Sequence, residues 1–253
     1  MFVSFNTPDN FIIIFSFFSC NMLILPYLCD CLRQGTDAIE GIFLDASNLT
    51  CELSPTVFGK MYNLRLLKFY CSASENECKL NLPQGLDTLP DELRLLHWEN
   101  YPLKILPGKF NPENLVEINM PYSDMEKLWE GKKVSIVLSC LHLFVTLIDD
   151  SFGDLCCKQN LEKLKILKLS HSKKLTDILV LSKAVNLEHI DLEGCTSLVD
   201  VSTSIPRCGK LVSLNMKDCS HLRSLPAMVD FTSLKLNLSG CSELEEIQEL
   251  HQT

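Results

Sequence analysis

The 253-residue sequence has no excess of positive charge: 23 lysines and arginines stand against 32 aspartates and glutamates, a formal net charge of −9. That balance excludes a nucleic-acid backbone as the main partner, because phosphate contacts need a basic stripe. None of the 13 cysteines forms a C-x-x-C pair, and none of the six histidines stands at metal-site spacing to a cysteine pair. No zinc site is expected. Signatures of catalysis are missing as well. No G-x-S-x-G, H-E-x-x-H or glycine-rich dinucleotide loop occurs. Gly59-Lys60, Gly108-Lys109, Gly131-Lys132 and Gly209-Lys210 all lack the hydroxyl residue and the upstream glycine of a phosphate-binding loop. The chain therefore reads as a non-enzyme, with no catalytic, metal or cofactor-binding residue.

Charge of either sign is absent from Phe11 to Cys29, about the length of a membrane span. The first basic residue is Arg33, so the positive n-region of a signal peptide is missing, and Asn21 and Pro26 interrupt the run. A membrane anchor through 11–29 stands as the alternative to a non-membrane protein. A second apolar block, 134–159, is chemically similar. Together residues 1–34 and 134–159 hold 8 of the 13 phenylalanines and 6 of the 13 cysteines.

What is present is a beat. Leu-x-x-Leu-x-Leu recurs in NLRLLKFY (63–70), ELRLLHWE (92–99), NLVEINMP (114–121), KLKILKLS (163–170), NLEHIDLE (186–193), KLVSLNMK (210–217) and SLKLNLSG (233–240). The closing apolar residues Phe69, Trp98, Met120, Leu169, Leu192, Met216 and Leu238 lie 29, 22, 49, 23, 24 and 22 apart. The leucine-rich repeat period is 20–29 residues. Taking the 26 residues 134–159 out of the 49-residue step leaves 23 and joins Lys133 to Asn160. The expected organisation is an apolar N-terminal segment (1–34) outside the fold, repeats over 35–133, an insertion (134–159), and repeats over 160–253. The fold class is α/β: a curved leucine-rich repeat solenoid with short parallel strands on its concave face and an irregular or short-helical convex side. Residues favoured in both apolar blocks have thymine-rich codons; Val134 requires a codon starting GT and Gln159 can end one in AG. The insertion thus reads as a retained intron, and 1–34 as the tail of another.

Cys195, Cys219 and Cys241 recur just after the strands, in EGC, KDC and SGC. One small thiol per repeat reads as a packing slot, which fits a reduced compartment better than a disulfide-rich exterior. Leu-Pro pairs at 82–83, 89–90, 106–107 and 225–226 read as turn stops on the return path. Trp98 and Trp129 fall on apolar repeat positions and are assigned to the core.

Several phrases resemble one family: GTDAIEGIFLDASNL (35–49), LSPTVFGKMYNLRLLKFY (53–70), LPQGLDTLPDELRLLHWENYPLKILP (82–107), FNPENLVEINMPYSDMEKLWEG (110–131) and KDCSHLRSLP (217–226). They resemble the start of the leucine-rich repeat domain of plant intracellular disease-resistance proteins, the subclass with Toll/interleukin-1 receptor-like and nucleotide-binding domains ahead of the repeats. The resemblance implies an innate-immunity module that holds the nucleotide-binding domain inactive and takes part in sensing pathogen effectors. Implied partners are proteins: an effector, a guarded host protein, or a nucleotide-binding domain in cis or trans. It also implies a cytoplasmic location, with the nucleus as a second compartment. The family's ADP/ATP site lies in a domain absent from this sequence. Two departures stand out: SLKLNLSGC (233–241) is one residue short of the family pattern, and LTDILVLSKAVNL (175–187) lacks the proline expected near Leu179.

Because side chains alternate across a strand, the x positions should line the concave surface. The candidates are His97, Glu99, Glu117, Asn119, Lys168, Ser170, His189, Asp191, Glu193, Asn215, Lys217 and Asn237, with Lys68, Tyr70 and Ser239 beside them. Two competing readings remain open. One is an extracellular or membrane-anchored repeat receptor, with glycan acceptors at Asn48 and Asn237, although the Gly-x-Ile-Pro phrase of plant extracellular repeats is absent. The other is the substrate adaptor of a ubiquitin ligase, for which the first 34 residues supply no adaptor-binding motif.

Overall fold

The computed structural model describes residues 12–15, 37, 39–47, 52–72, 80–130, 160–202, 204–205, 210–225 and 234–244. Nine strands follow one another in a single parallel sheet, in chain order from β1 to β9. They are β1 (Ile12–Phe15), β2 (Ile39–Asp45), β3 (Leu66–Tyr70), β4 (Leu95–Trp98), β5 (Glu117–Asn119), β6 (Ile166–Lys168), β7 (His189–Asp191), β8 (Ser213–Asn215) and β9 (Lys235–Asn237). Each of the seven repeat phrases carries one strand, β3 to β9. Parallel neighbours require a crossover, and here the return path runs through turns such as Leu93 N–H to Pro90 O and Phe110 N–H to Pro107 O. At the place where the proline near Leu179 is missing, the path forms a 3-10 helix, Leu179–Lys183.

Alternation explains the strands. In β3 to β8 the central apolar residues Leu67, Leu96, Ile118, Leu167, Ile190 and Leu214 are all buried, and the residues on either side are half-buried and face outward. Register keeps those central residues in one row: Leu67 pairs Leu96, Leu96 pairs Ile118, Ile118 pairs Leu167, Leu167 pairs Ile190, and Ile190 pairs Leu214. Stacking coils bury what a single coil leaves open. Trp98 is fully buried and meets Phe69, Tyr101 and Phe58 edge-on at 4.5, 5.1 and 6.3 Å. Trp129 is buried against Phe110, with ring centroids 6.4 Å apart. Both tryptophans are core residues, as their repeat positions required.

Two strands fall outside the repeat phrases. β2 lies in the stretch 35–49, and β1 lies inside the N-terminal segment that was expected to stay out of the fold. Ile12–Phe15 pairs in parallel with β2, with an irregularity between Ile12 and Ile13. The physical reason is local: three isoleucines and a phenylalanine suit a strand, and β2 offers an unpaired edge. The rest of 1–34 lies outside the described residues, as do 134–159 and Asn48.

β5 and β6 pair directly, Glu117 to Ile166, Ile118 to Leu167 and Asn119 to Lys168, although 49 positions separate them in the chain. Across the same junction Lys165 and Ile166 N–H both reach Val116 O, and Thr176 N–H reaches Glu126 O. The shortened seventh phrase (233–240) is absorbed just before its strand, β9. In earlier coils two successive N–H groups share one carbonyl, as Val212 and Ser213 share Glu188 O; at β9 only Lys235 N–H reaches Val212 O. From there the register resumes, Leu214 to Leu236 and Asn215 to Asn237.

Candidate protein-binding face

Each strand ends in a turn that fixes where its outward side chains stand. Six coils pass through left-handed backbone just after the strand, at Asn100, Tyr122, His171, Gly194, Asp218 and Gly240. The N–H of the first five reaches a carbonyl of the next coil: Pro121, Ser170, Glu193, Lys217 and Ser239 O, at 2.6 to 3.0 Å. Beside this ladder runs the cysteine slot. The Cys195, Cys219 and Cys241 thiols donate to Leu169, Leu192 and Met216 O of the preceding coil, each at 3.1 Å. Ser172 fills the same place one coil earlier and donates to Met120 O, while bonding Ser123 Oγ at 2.7 Å. The slot thus takes a small donor, thiol or hydroxyl, wherever a strand-end carbonyl would otherwise be buried alone. Cys195, Cys219 and Cys241 are free thiols, whereas Cys71 is disulfide-bonded, which the expectation of a reduced chain did not include.

A second polar ladder holds the strand entrances. Asn63, Asn114 and Asn186 donate from Nδ2 to Asp37, Asp91 and Glu162 O of the coil before, at 2.8, 3.1 and 2.6 Å. Lys163 reaches back to Asn114 Oδ1 at 2.7 Å, and Lys210 to Asn186 Oδ1.

Between these ladders the outward side chains form three rows across the sheet. The first contains Leu66, Leu95, Glu117, Ile166, His189, Ser213 and Lys235, in register from β3 to β9. The second contains Phe43, Lys68, His97, Asn119, Lys168, Asp191, Asn215 and Asn237. The third, at the strand ends, contains Asp45, Tyr70, Glu99, Ser170, Glu193, Lys217 and Ser239. All twelve candidate residues therefore stand on one face. Sequence reasoning passed over Leu66, Leu95 and Ile166, which read as core leucines and isoleucine. The signal was there: each precedes a buried leucine by one position, and alternation turns it outward.

The polar members bind one another. Asn215 Nδ2 donates to Asp191 Oδ1 and Glu193 Oε2 at 3.0 and 3.1 Å, and Lys217 Nζ pairs with Glu193 Oε1 at 2.8 Å. Those bonds, the Lys217 one foremost, hold the Glu193 carboxyl below its ordinary range. Lys168 lies 3.7 Å from Glu117, and His189 Nδ1 sits 2.8 Å from Ser213 Oγ. Short side chains in β8 leave a hollow of about 380 Å³ over β6 to β8, lined by Lys168, His189, Asp191, Ser213 and Asn215 with Ile166 and Ile190. Toward the other end, burial disfavours the Glu99 charge, but His97 Nε2 at 3.0 Å and the Cys71 N–H at 2.8 Å outweigh it and lower its pKa. Asp45 behaves alike: burial opposes its charge, and bonds from Ser47 and Ser72 prevail. Among the described residues no group of His, Cys, Asp and Glu is placed to hold a metal ion, and no helix is long and apolar enough to cross a membrane.

Nine parallel strands, in register from β2 onward, with an inward leucine row and a largely polar outward face, define a leucine-rich repeat solenoid. The family profile described as Leucine Rich Repeat matches residues 114–133. A solved structure, the leucine-rich repeat domain of the type III effector XopL, aligns with a TM-score of 0.52 at 24% identity, covering 81% of this chain and 62% of that one, which supports the fold. Over 86% of its length the chain is 73% identical to disease resistance protein RPP2A of Arabidopsis thaliana. Over 85% it is 39% identical to disease resistance protein RRS1, and 38% identical to disease resistance-like protein CSA1, both of Arabidopsis thaliana. It is a leucine-rich repeat domain of the kind carried by plant disease resistance proteins. It spans only 15%, 21% and 16% of the length of these three relatives.

Proposed function

We propose that the chain is a non-catalytic recognition module of plant innate immunity, working inside the cell, in the cytoplasm or the nucleus. Its outward sheet rows would take a protein partner: a pathogen effector, a host protein under surveillance, or a nucleotide-binding domain that the repeats hold inactive. The observation that carries this reading is the joining of 73% identity to a disease resistance protein with an outward face of three side-chain rows, in register from β3 to β9, whose polar members are hydrogen-bonded over β7 and β8. A solenoid presents such an extended surface because its coils bury their apolar residues against each other and leave the concave side free for a partner.

The test is co-expression of the whole chain with the nucleotide-binding domain of its RPP2A-like relative, followed by co-precipitation. Paired charge reversal, Asp191→Lys with Lys217→Glu, is expected to weaken capture at least tenfold while leaving the thermal melt in place. Undiminished capture by a variant that melts normally would count against this face as the binding surface.

A further inference from the structure

The outward face divides into two chemical zones, and the division points to the kind of partner it fits. Over β6 to β8 charge is internally matched, with Lys217 on Glu193 at 2.8 Å, and Lys168 lies 3.7 Å from Glu117 on β5. Over β2 to β4 it is not. There the third row carries two carboxylates, Asp45 and Glu99, on either side of Tyr70. The hydrogen-bond donors to Asp45 are Ser47 and Ser72, and those to Glu99 are the Cys71 N–H and His97. Lys68 is the single lysine or arginine in the three rows of these strands, and it lies 5.5 Å over the Tyr70 ring. That contact shows the ring face already attracting a cation. Both carboxyls sit below their ordinary pKa, so both are charged at neutral pH.

The first row of the same zone is apolar. Leu66 and Leu95 are register partners, both half-buried and outward; Glu117, drawn toward Lys168, takes the row on β5, and Ile166 resumes it on β6. First and third rows are four residues apart along a strand, about 13 Å, which is slightly more than the width of an α-helix. We infer that β2 to β6 seat a basic amphipathic helix of a protein partner, lying across the strands with apolar side chains on Leu66, Leu95 and Ile166 and lysines or arginines toward Asp45 and Glu99. Four strand spacings make about 19 Å, the length of roughly 13 helical residues. The inference rests on the recognition reading above and adds the partner's chemistry to it.

Fluorescence anisotropy of the whole chain with an 18-residue helical leucine–lysine peptide tests this. Its controls are a leucine–glutamate peptide of the same pattern and a scrambled leucine–lysine peptide. The ordered lysine peptide is expected to bind at least tenfold more tightly than either control. Asp45→Asn with Glu99→Gln should weaken it at least tenfold, and Asp200→Asn, on the convex side, should not. Lys68→Ala removes the competing cation and should tighten binding severalfold, an effect that unfolding cannot imitate. Equal binding of the scrambled peptide, or equal loss with Asp200→Asn, would reduce the effect to bulk charge and overturn the proposal. Preference for the glutamate peptide, still sensitive to Leu95→Ser, would overturn the partner's chemistry while leaving the face as a recognition surface. Failure of all peptides would also overturn it, and co-precipitation with the nucleotide-binding domain would then report separately on the recognition reading.

Discussion

At Gly194 the backbone turns through φ +68°, and the His171 ring of the coil before fills the place a Cβ would take, with Nδ1 2.5 Å from that point. The same ring stacks on Tyr122 at 4.9 Å and 13°. One glycine therefore lets two large side chains lie flat along the solenoid. Gly194→Ala carries a left-handed cost of about 1–2 kcal/mol plus the clash. In a His171→Ala background only the conformational part should remain, so a double-mutant cycle by urea unfolding is expected to show coupling of about 1 kcal/mol or more. Additive effects would mean the ring moves freely aside. The cysteine slot yields a second test. Burial, with Cys241 beside it, pushes the Cys219 thiol up to about 12 from an ordinary 9.0. The native state thus keeps a proton that the unfolded chain gives up. Its contribution is complete below pH 9 and is lost progressively as pH rises toward 12. The urea midpoint should fall between pH 8 and pH 10.5, and Cys219→Ser, which keeps a donor to Leu192 O, should flatten that slope. Of these features, the slot was legible in the sequence because cysteine repeats at a fixed offset. The left-handed ladder was not, because Asn100, Tyr122, His171 and Asp218 do not announce positive φ as glycine does.

At the scale of the element, the seven repeat strands could be read directly, since each rests on a local pattern that the buried leucine row enforces. β1 could not, because its four apolar residues carry no repeat phrase and owe their pairing to the free edge of β2. The 49-residue step between β5 and β6 shows how spacing reports geometry. β5 meets β6 in register across 49 positions, and the carbonyl of Val116 serves the N–H groups of Lys165 and Ile166 as Glu188 serves Val212 and Ser213. Nothing in this ladder leaves room for another coil between the two strands. Deleting 134–159, so that Lys133 joins Asn160, is therefore expected to keep β6 in place and to leave Tm unchanged or higher in a circular-dichroism melt. A drop of more than about 5 °C, some 1 kcal/mol or more for a domain of this size, would show that the block supports the stack. Transcript reads spanning codons 134–159 would separately test whether the block is a retained intron.

For the whole molecule the governing fact is that each coil is covered by the next. Leu67, Leu96, Ile118, Leu167 and Leu214 are fully buried and Ile190 is 1% exposed, whereas Leu236, their register partner on β9, is 38% exposed. Branched apolar side chains in equivalent positions thus differ in whether a further described strand lies beyond them. Nearest-neighbour coupling makes stability fade toward such an end, and removing a buried leucine costs about 2–5 kcal/mol because a cavity is left behind. Leu214→Ala is accordingly expected to lower stability by about 3 kcal/mol, and Leu236→Ala by less than about 1 kcal/mol, since the latter removes little packed surface. The same gradient orders local opening. Amides of β9, with a single neighbouring strand through β8, should exchange with solvent faster than those of β4 to β7, which are paired on both sides. Uniform protection from β3 to β9, or equal costs for the two leucine substitutions, would mean that β9 is covered in solution. Its apolar edge would then have to be counted among the surfaces this solenoid uses.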